Sequence, residues 1–233
     1  MAERIINAYL VKKDDYGIFD EIITILCTNG NKYVCLSKGS KKINSKNARN
    51  LFIGSFIEFV IFEARSENKI SRLKKANCIT AAPWNIEGNN ALNILNQCIV
   101  KATTTSKEFF NFYKYGVELI TKKPENEYVN ICAILKNYIL LFGLMSEPNY
   151  CISCGNQEIN NFSPYLGGMV CQTCTQKKDI PKIDPNVFQI IFGIFNDDKF
   201  LDNPTVEKNI LRSVITILLQ YVQKNLDTKI LFK

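Results

Sequence analysis

Histidine is absent from the 233 residues of this sequence. Its absence removes the side chain that most often moves protons near neutral pH. Ser-His-Asp and Cys-His triads, His-ligated catalytic zinc and two-histidine iron sites are therefore excluded. The chain also contains neither a phosphate-binding G-x-x-x-x-G-K-[ST] loop nor a G-x-G-x-x-G turn. Carboxylate or lysine chemistry stays open, but no paired-carboxylate motif supports it.

Long apolar runs are absent as well. The best of them, Tyr138–Met145, is far shorter than the eighteen or more residues that a membrane-spanning helix needs. The N-terminal stretch MAERIINAYL has no apolar core of adequate length and carries charges at Glu3 and Arg4, unlike a signal peptide. We therefore expect a cytoplasmic protein with no membrane partner.

Cysteine, in contrast, is plentiful and patterned. Two C-x-x-C pairs are separated by sixteen residues: Cys151, Cys154, Cys171 and Cys174. This spacing is typical of a tetrahedral four-thiolate zinc site. Such a site leaves no position for water, so we expect one structural Zn²⁺. Lys177 and Lys178 would offset the double negative charge of the zinc tetrathiolate centre. The other five cysteines have apolar neighbours and are expected to be buried free thiols, as in a reducing compartment.

Positive charge is concentrated in the first third of the chain. Residues 1–80 hold fourteen Lys and Arg against eight Asp and Glu, a net charge of +6, whereas the remaining residues carry +1. A basic N-terminal part on a nearly neutral body indicates a polyanionic partner, although charge that serves only solubility is the alternative.

Residues 1–80 alternate β-branched runs with polar turns, which predicts strands. The strands are expected over residues 5–11, 19–27, 32–37, 56–63 and 70–79. The polar run Lys12–Asp15 ends the first, and the basic residues 38–50 form a loop. Phe19 and Tyr33 are expected in the core, with stacking on bases as the alternative if they face outward. Five short strands with a long excursion after the third fit an OB-fold barrel, and an SH3-like barrel has the same periodicity.

The chain after residue 80 has helical periodicity. Helices are expected from Ala91, capped by Asn89 or Asn90, and over residues 106–121 and 128–144. Two more are expected from the Asp184-Pro185 cap to about Phe195 and, opened by Asn203-Pro204, from Thr205 to about Leu226. The sequence thus predicts an α+β chain of three parts. These are an OB-fold domain (1–80), a helical domain (81–148 and 180–233) and a zinc ribbon inserted into it (149–179).

Several strings, in this order, resemble the RecO family of bacterial DNA repair and recombination mediators. Residues 16–22 (YGIFDEI) are similar to a Y-G-x-x-D-x-I segment, residues 38–42 (KGSKK) to G-x-[RK]-[RK], and residues 51–59 to L-x-P-F-x-x-x-E-[FLV]. Residues 140–155 and 163–171 resemble the helix end and the glycine pair that flank the cysteines of the family. The chain departs from the family in Ile53, where proline is frequent, and in using Lys for Arg in the basic segment.

The resemblance implies a DNA-binding protein without catalytic activity, associated with the nucleoid and acting in the RecFOR pathway. RecO-like proteins bind single- and double-stranded DNA and anneal complementary strands. They bind the C-terminal tail of single-strand-binding protein, and with RecR they help to load RecA on DNA that this protein coats. We expect the tail to need an apolar pocket rimmed by cations.

The residues expected to contact phosphate are cations of residues 1–80. The first group lies in the basic segment and comprises Lys38, Lys41, Lys42, Lys46 and Arg49. The second comprises Lys12, Lys13, Arg72, Lys74 and Lys75. Two alternatives stay open: an RNA-binding or translation-associated protein with the same barrel and ribbon, and an enzyme that uses carboxylates or a redox-active C-x-x-C pair.

Overall fold

A computed structural model of the chain describes residues 2–64, 69–82, 89–103, 106–145, 147–197, 199–201 and 206–232. Contacts within the chain group Met1–Pro124 into one compact unit and Glu125–Lys233 into another. We call these the barrel unit and the ribbon unit. The three-part division expected from the sequence stays a prediction.

The barrel unit contains five strands that close on one another. They are β1 (Glu3–Tyr16), β2 (Asp20–Cys27), β3 (Lys32–Ser37), β4 (Phe56–Phe62) and β5 (Ser71–Thr80). The strand order is β1-β2-β3-β5-β4, with β4 paired back onto β1, and only β3 and β5 run parallel. The closing pair of β3 and β5 is short, with only Cys35 and Leu36 facing Ser71 and Arg72. The expected α+β class with a five-stranded OB-type barrel is confirmed.

The interior of the barrel follows the two-residue period of its strands. On β4, Ile57, Phe59 and Ile61 are fully buried, while the residues between them are half-buried. Leu51, from the long β3–β4 connection, joins the same core. The C-terminal end of the β3–β4 connection is therefore anchored in the barrel core.

Strand β1 is longer than expected. The polar residues Lys12–Asp15 were expected to end it, but it continues to Tyr16, which pairs with Asp20. A register shift between Leu10 and Lys12 marks a bulge, after which the polar residues extend a hairpin with β2. Gly17, with φ +65°, provides the turn.

Helices α1 (Asn90–Lys101) and α2 (Lys107–Lys122) complete the barrel unit. The Asn89 side chain accepts a hydrogen bond from the Ala91 N–H (2.8 Å) and caps α1, as expected. The Nζ of Lys32 donates to the carbonyls of Ile99, Val100 and Ala102, which ties strand β3 to the C-terminal end of α1. The aromatic residues of α2 serve mainly as core: Phe109, Phe112 and Tyr113 are buried.

The ribbon unit combines helices with a small two-stranded sheet. Its elements are α3 (Glu127–Leu141), β6 (Ile159–Ser163), β7 (Gly168–Cys171), α4 (Gln172–Lys177), α5 (Pro185–Asn196) and α6 (Lys208–Leu226). Helix α3 packs on α6 and α5. Asp184 caps α5 by accepting from the N–H groups of Asn186 and Val187. None of the described helices has the length and apolar character that crossing a membrane requires.

Candidate nucleic-acid interface and metal centre

The basic segment 38–50 is a chain of turns rather than an extended loop. The N–H of Lys42 donates to the carbonyl of Gly39 (3.1 Å), and that of Ser45 to the carbonyl of Lys42 (2.9 Å). At its start, the N–H of Gly39 donates to the Asp20 carboxylate (2.7 Å). These local bonds keep lysines 38, 42 and 46 at fixed backbone positions.

Asn47 fastens this segment to strand β5. Its Nδ2 donates to the carbonyl of Lys74 (3.4 Å), and its Oδ1 accepts from the N–H of Ala76 (3.1 Å). One uncharged side chain thus replaces a missing strand partner for β5 and brings lysines of the loop beside lysines of the strand.

The result is an open groove of about 610 Å³, which we call the polar groove. Its lining includes five of the ten cations expected to contact phosphate: Lys38, Lys42, Lys46, Lys74 and Lys75. Amide side chains fill the space between them: Asn44, Asn47, Asn50 and Asn77. Amides and lysines together offer donors to phosphate oxygens without any fixed anion in the lining.

The expected cations differ in how far they are already neutralised. Lys74 is paired with Glu3, so it contributes less than its charge suggests. Among the described residues, Lys38, Lys42, Lys46 and Lys75 have no ion-pair partner. These four lysines therefore carry most of the positive potential of the polar groove.

The other five expected cations do not line the polar groove. Lys12 is paired with Asp14 (2.7 Å) and Lys41 with Asp15 (2.8 Å). Arg49 lies on the single 3-10 turn Ala48–Asn50, facing solvent, and Lys13 lies on the β1–β2 hairpin. The remaining cation, Arg72, belongs to a different concavity.

That second concavity, about 690 Å³ in volume, is the apolar cleft. Its lining is mainly apolar and aromatic: Tyr16, Ile22, Leu36, Phe62, Ala64 and Ile70, with Lys38, Glu63, Lys69 and Arg72. The sequence analysis missed it. The available signal was the presence of apolar residues at strand positions that alternate with the core positions, such as Ile22 beside the buried Ile23.

Phe19 was expected in the core, and this expectation is wrong. It lies in the turn before β2 and is 51% exposed, with Lys42 Nζ 5.4 Å from its ring centre. Tyr33 is half-buried, packs against the barrel core, and accepts a hydrogen bond from Arg4. Phe19 precedes β2, so it lies outside the alternation that turns Ile23 and Ile25 of that strand into the core.

A third concavity of the barrel unit, about 540 Å³, lies among Tyr9, Phe56, Phe110 and Val117. Among the described residues that line it, Lys114 and Glu118 are the charged ones, and they are paired across one helical turn (4.0 Å). These two side chains consequently add no net charge that would attract a polyanion.

In the ribbon unit, the four patterned cysteines converge. The Sγ atoms of Cys151, Cys154, Cys171 and Cys174 all lie within 4.8 Å of one another. The first pair sits on a tight turn, in which the Gly155 N–H donates to the Cys151 carbonyl (2.8 Å) and Gly155 has φ +74°. The second pair opens α4, where the Cys171 Sγ accepts from the Cys174 N–H (3.4 Å). Four sulfurs at this separation can hold one metal ion.

The ionisation of these four thiols favours a bound cation. Burial opposes ionisation of Cys151, but the N–H groups of Cys171, Ser153 and Cys154 point at its sulfur and lower its pKa to about 6. The pKa of Cys174 is raised, because its thiol interacts with the Cys154 sulfur and its neighbours. All four sulfurs can be thiolates together only if a positive ion lies between them, so the donor set fits a thiolate-bound metal.

Polar contacts around the cysteines fix the ribbon. Lys178 Nζ donates to the Ser153 hydroxyl (3.1 Å), beside the first cysteine turn, where the sequence analysis expected a balancing cation. Asn161 on β6 is buried; its Nδ2 donates to the Pro181 carbonyl (3.2 Å) and its Oδ1 accepts from the Ile183 N–H (3.2 Å). The chain beyond α4 is thereby tied back to the ribbon.

The five other cysteines are free thiols. Four of them are buried as expected, and Cys78 is only half-buried. Burial raises the pKa of Cys27 to about 11 and that of Cys35 to about 12, so neither is a thiolate near neutral pH.

No protein-family model matches the chain. Curated proteins do resemble it over nearly its whole length. A protein named DNA repair protein RecO from Mycoplasma mycoides is 24% identical over 237 residues, covering 97% of this chain and 94% of that protein. Proteins of the same name from a Thermoanaerobacter species and from Caldicellulosiruptor bescii are each 24% identical, covering 95% of this chain and 92% and 93% of theirs. This similarity supports the resemblance that the motifs indicated, at low identity.

Proposed function

We propose that this chain is a RecO-type recombination mediator in DNA repair. It binds single- and double-stranded DNA, anneals complementary strands and, with RecR, helps to load RecA on DNA coated by single-strand-binding protein. It acts at the nucleoid in the cytoplasm and performs no chemical step. The observation that carries the proposal is the polar groove, in which Lys38, Lys42, Lys46 and Lys75 face a common space and have no anionic partner among the described residues.

Annealing needs two polyanions to approach each other, and their repulsion is the main barrier. Lysines that neutralise phosphates release condensed counterions and lower this barrier. Lysine contacts phosphate as a point charge and reads no base sequence, which suits a protein that must anneal any complementary pair.

The metal centre supports this function indirectly. The ion is Zn²⁺, held by Cys151, Cys154, Cys171 and Cys174, because four thiolates in a closed tetrahedral set are the preferred ligands of structural zinc. Zinc supplies folding energy to the ribbon and no reactive position. Full occupancy also leaves no free dithiol for redox catalysis, which argues against an enzyme of that kind.

The partner proteins are proposed from the resemblance to the RecO family. The tail of single-strand-binding protein and RecR would bind outside the polar groove, so that DNA and protein partners can be held together. In the pocket beside α2, Lys114 is paired with Glu118, so this lysine gives little electrostatic reason for an acidic tail to bind there.

The test is annealing of complementary strands coated with single-strand-binding protein, measured across a salt series. Four phosphate contacts on a single strand predict a log–log slope of binding against salt of about −3. Changing Lys38, Lys42, Lys46 and Lys75 to Gln should flatten this slope and slow annealing. The matched control changes four exposed lysines elsewhere, Lys107, Lys122, Lys182 and Lys208, and removes the same charge.

Equal losses in both quadruple variants would mean that net charge, not the polar groove, drives binding. An RNA-binding protein is the second candidate, because the same groove would also take RNA phosphates. Competition between DNA and RNA strands of identical sequence separates the two. Tighter binding of RNA through its 2′-hydroxyls would replace the mediator proposal.

A further inference from the structure

The four cysteines of the metal centre differ in how far solvent reaches them. Cys151, Cys171 and Cys174 are buried, whereas Cys154 is exposed. All nine cysteines of the chain lie within the described ranges, and Cys154 is the only exposed one among them. A small solute can therefore reach one ligand of the centre while the ribbon stays folded.

The local backbone explains why Cys154 is open to solvent. It ends the first cysteine turn, where its N–H donates to the Cys151 carbonyl (3.3 Å). Gly155 follows with φ +74°, and a Cβ added there would meet nothing within 4 Å. The next three residues, 156–158, are exposed as well. The side of the turn that faces these residues thus gives solvent access to Cys154.

A second sulfur lies within reach of Cys154. Its Sγ is 3.7 Å from the Sγ of Cys171, which comes from the other arm of the ribbon at the start of α4. This separation matches the edge of a tetrahedron of thiolates around zinc, about 3.8 Å for metal–sulfur bonds of ~2.3 Å. A disulfide of about 2.05 Å requires the two sulfurs to approach by only about 1.7 Å.

We propose that Cys154 is an oxidation site, at which a peroxide converts the metal centre into a Cys154–Cys171 disulfide with release of the ion. The Cys154 sulfur attacks one oxygen of hydrogen peroxide, the O–O bond breaks, hydroxide leaves, and a sulfenic acid remains. The Cys171 sulfur then attacks the Cys154 sulfur, so that an S–S bond forms, the S–O bond breaks and a second hydroxide leaves. Each hydroxide takes up a proton. The two thiolates lose two electrons, which reduce the peroxide to two waters.

Oxidation at Cys154 would act on the fold of the ribbon. Three of the four buried side chains in the ribbon core belong to metal ligands, and the fourth is Val170, with Ile159 and Ile180 packed against them. So small an apolar cluster depends on the metal for its stability. The polar groove belongs to the barrel unit, so we expect its DNA binding to survive. A disulfide in a reducing compartment is typically transient, which suits a reversible switch.

The test follows the metal and the thiols in the same sample. The zinc-loaded protein is treated with hydrogen peroxide, quenched with acid and alkylated, and its peptides are mapped by mass spectrometry. We expect about one Zn²⁺ to be released for each disulfide formed, as measured with a chromogenic chelator. The first disulfide should join Cys154 to Cys171. In protein loaded with Co²⁺, the visible absorption of the tetrathiolate centre should disappear at the same rate, and a dithiol with fresh metal should restore it.

Changing a ligand would itself disturb the centre, so the test variants keep all four cysteines. Gly155→Asn adds a side chain in the open space beside Cys154, and asparagine tolerates positive φ. Because oxidation follows exposure, this variant should release metal about twofold more slowly or less. The matched control is Gly143→Asn, since Gly143 also has positive φ, +70°, with nothing within 4 Å of an added Cβ. It should release metal at the unaltered rate, as should Cys78→Ser.

Three results would overturn the assignment: a first disulfide between another pair, a centre that keeps its metal under peroxide, or equal rates in the two glycine variants. Binding of a labelled DNA strand by the same samples separates this inference from the proposed function, on which it does not rest. Oxidation should remove hydrogen-exchange protection from the ribbon without changing DNA affinity. A fall in affinity that parallels metal loss would refute the confinement of the switch to the ribbon. A protein that binds neither Zn²⁺ nor Co²⁺ would refute the metal centre itself.

Discussion

Gly30 allows the β2–β3 turn to pack against the start of helix α2. Its φ is +88°, and a Cβ added there would lie 2.9 Å from the Lys107 nitrogen and well inside van der Waals contact of the Ser106 carbonyl group. Both neighbours are backbone atoms, so no side-chain rotation relieves the contact. We predict that Gly30→Ala destabilises the barrel unit strongly.

The loss has two parts. Placing an alanine at positive φ costs about 1 kcal/mol. Separating the turn from α2 by enough to admit a methyl group costs a further 1–3 kcal/mol, roughly that of overpacking a core. The free energy of unfolding should therefore fall by about 3 kcal/mol, which for a unit of this size lowers the melting midpoint by roughly 10 °C.

Gly17→Ala is the matched control. Gly17 also has positive φ, +65°, but an added Cβ meets nothing within 4 Å. This variant bears the conformational cost alone, so it should lose about 1 kcal/mol. Urea unfolding of both variants, followed by circular dichroism, measures the difference. Equal losses would refute the close packing of the β2–β3 turn on α2.

Three further predictions concern other parts of the chain. Chelating the metal, or changing Cys154 to Ser, should abolish hydrogen-exchange protection in residues 151–178 and leave the barrel protected, whereas Cys78→Ser should leave both intact. Lys32→Met removes three carbonyl contacts at the end of α1, and urea unfolding should show a loss of about 1–3 kcal/mol. Because burial raises the pKa of Cys27 from 9.0 to about 11, the unfolded thiol ionises first. The contribution of this thiol to the free energy of unfolding should thus be fully present below pH 9 and should be lost as the pH rises toward 11. In the variant Cys27→Ala the free energy of unfolding should fall less steeply over this pH range.

Local features of the fold were predictable because their signals are local. The run of aromatic and β-branched residues in 56–63 (FIEFVIFE) marks β4, and Asn89 and Asp184 have the side chains that cap helices. The position of the cysteine sulfurs within each pair was likewise predictable from the spacing, because each C-x-x-C pair lies on one turn and Gly155 follows the first pair. Such elements need no information from elsewhere in the chain.

The polar groove was only half predictable. The high density of lysine in residues 38–46 indicated a polyanion site. The contact that places these lysines beside Lys75 is made by Asn47, which bonds to β5 residues about thirty positions later in the sequence. Nothing in the pattern distinguishes Asn47 from its neighbours. Equally, Asp15 can neutralise Lys41 only because the β1–β2 hairpin continues past Lys12. The polar sequence of residues 12–15 gave no indication of this continuation.

Because of these tertiary contacts, the number of cations in a segment is a poor measure of how strongly that segment binds phosphate. Lys12, Lys41 and Lys74 have carboxylate partners at 2.8 Å or less, and DNA would have to displace those carboxylates before a phosphate could take their place. The four unpaired lysines need no such exchange, but their arrangement depends on the two hydrogen bonds of Asn47. We therefore expect Asn47→Leu, which changes no charge, to weaken DNA binding more than Lys12→Gln, which removes one. Titrations of the two variants at equal salt measure this order, and the reverse order would show that the polar groove needs no pre-organisation.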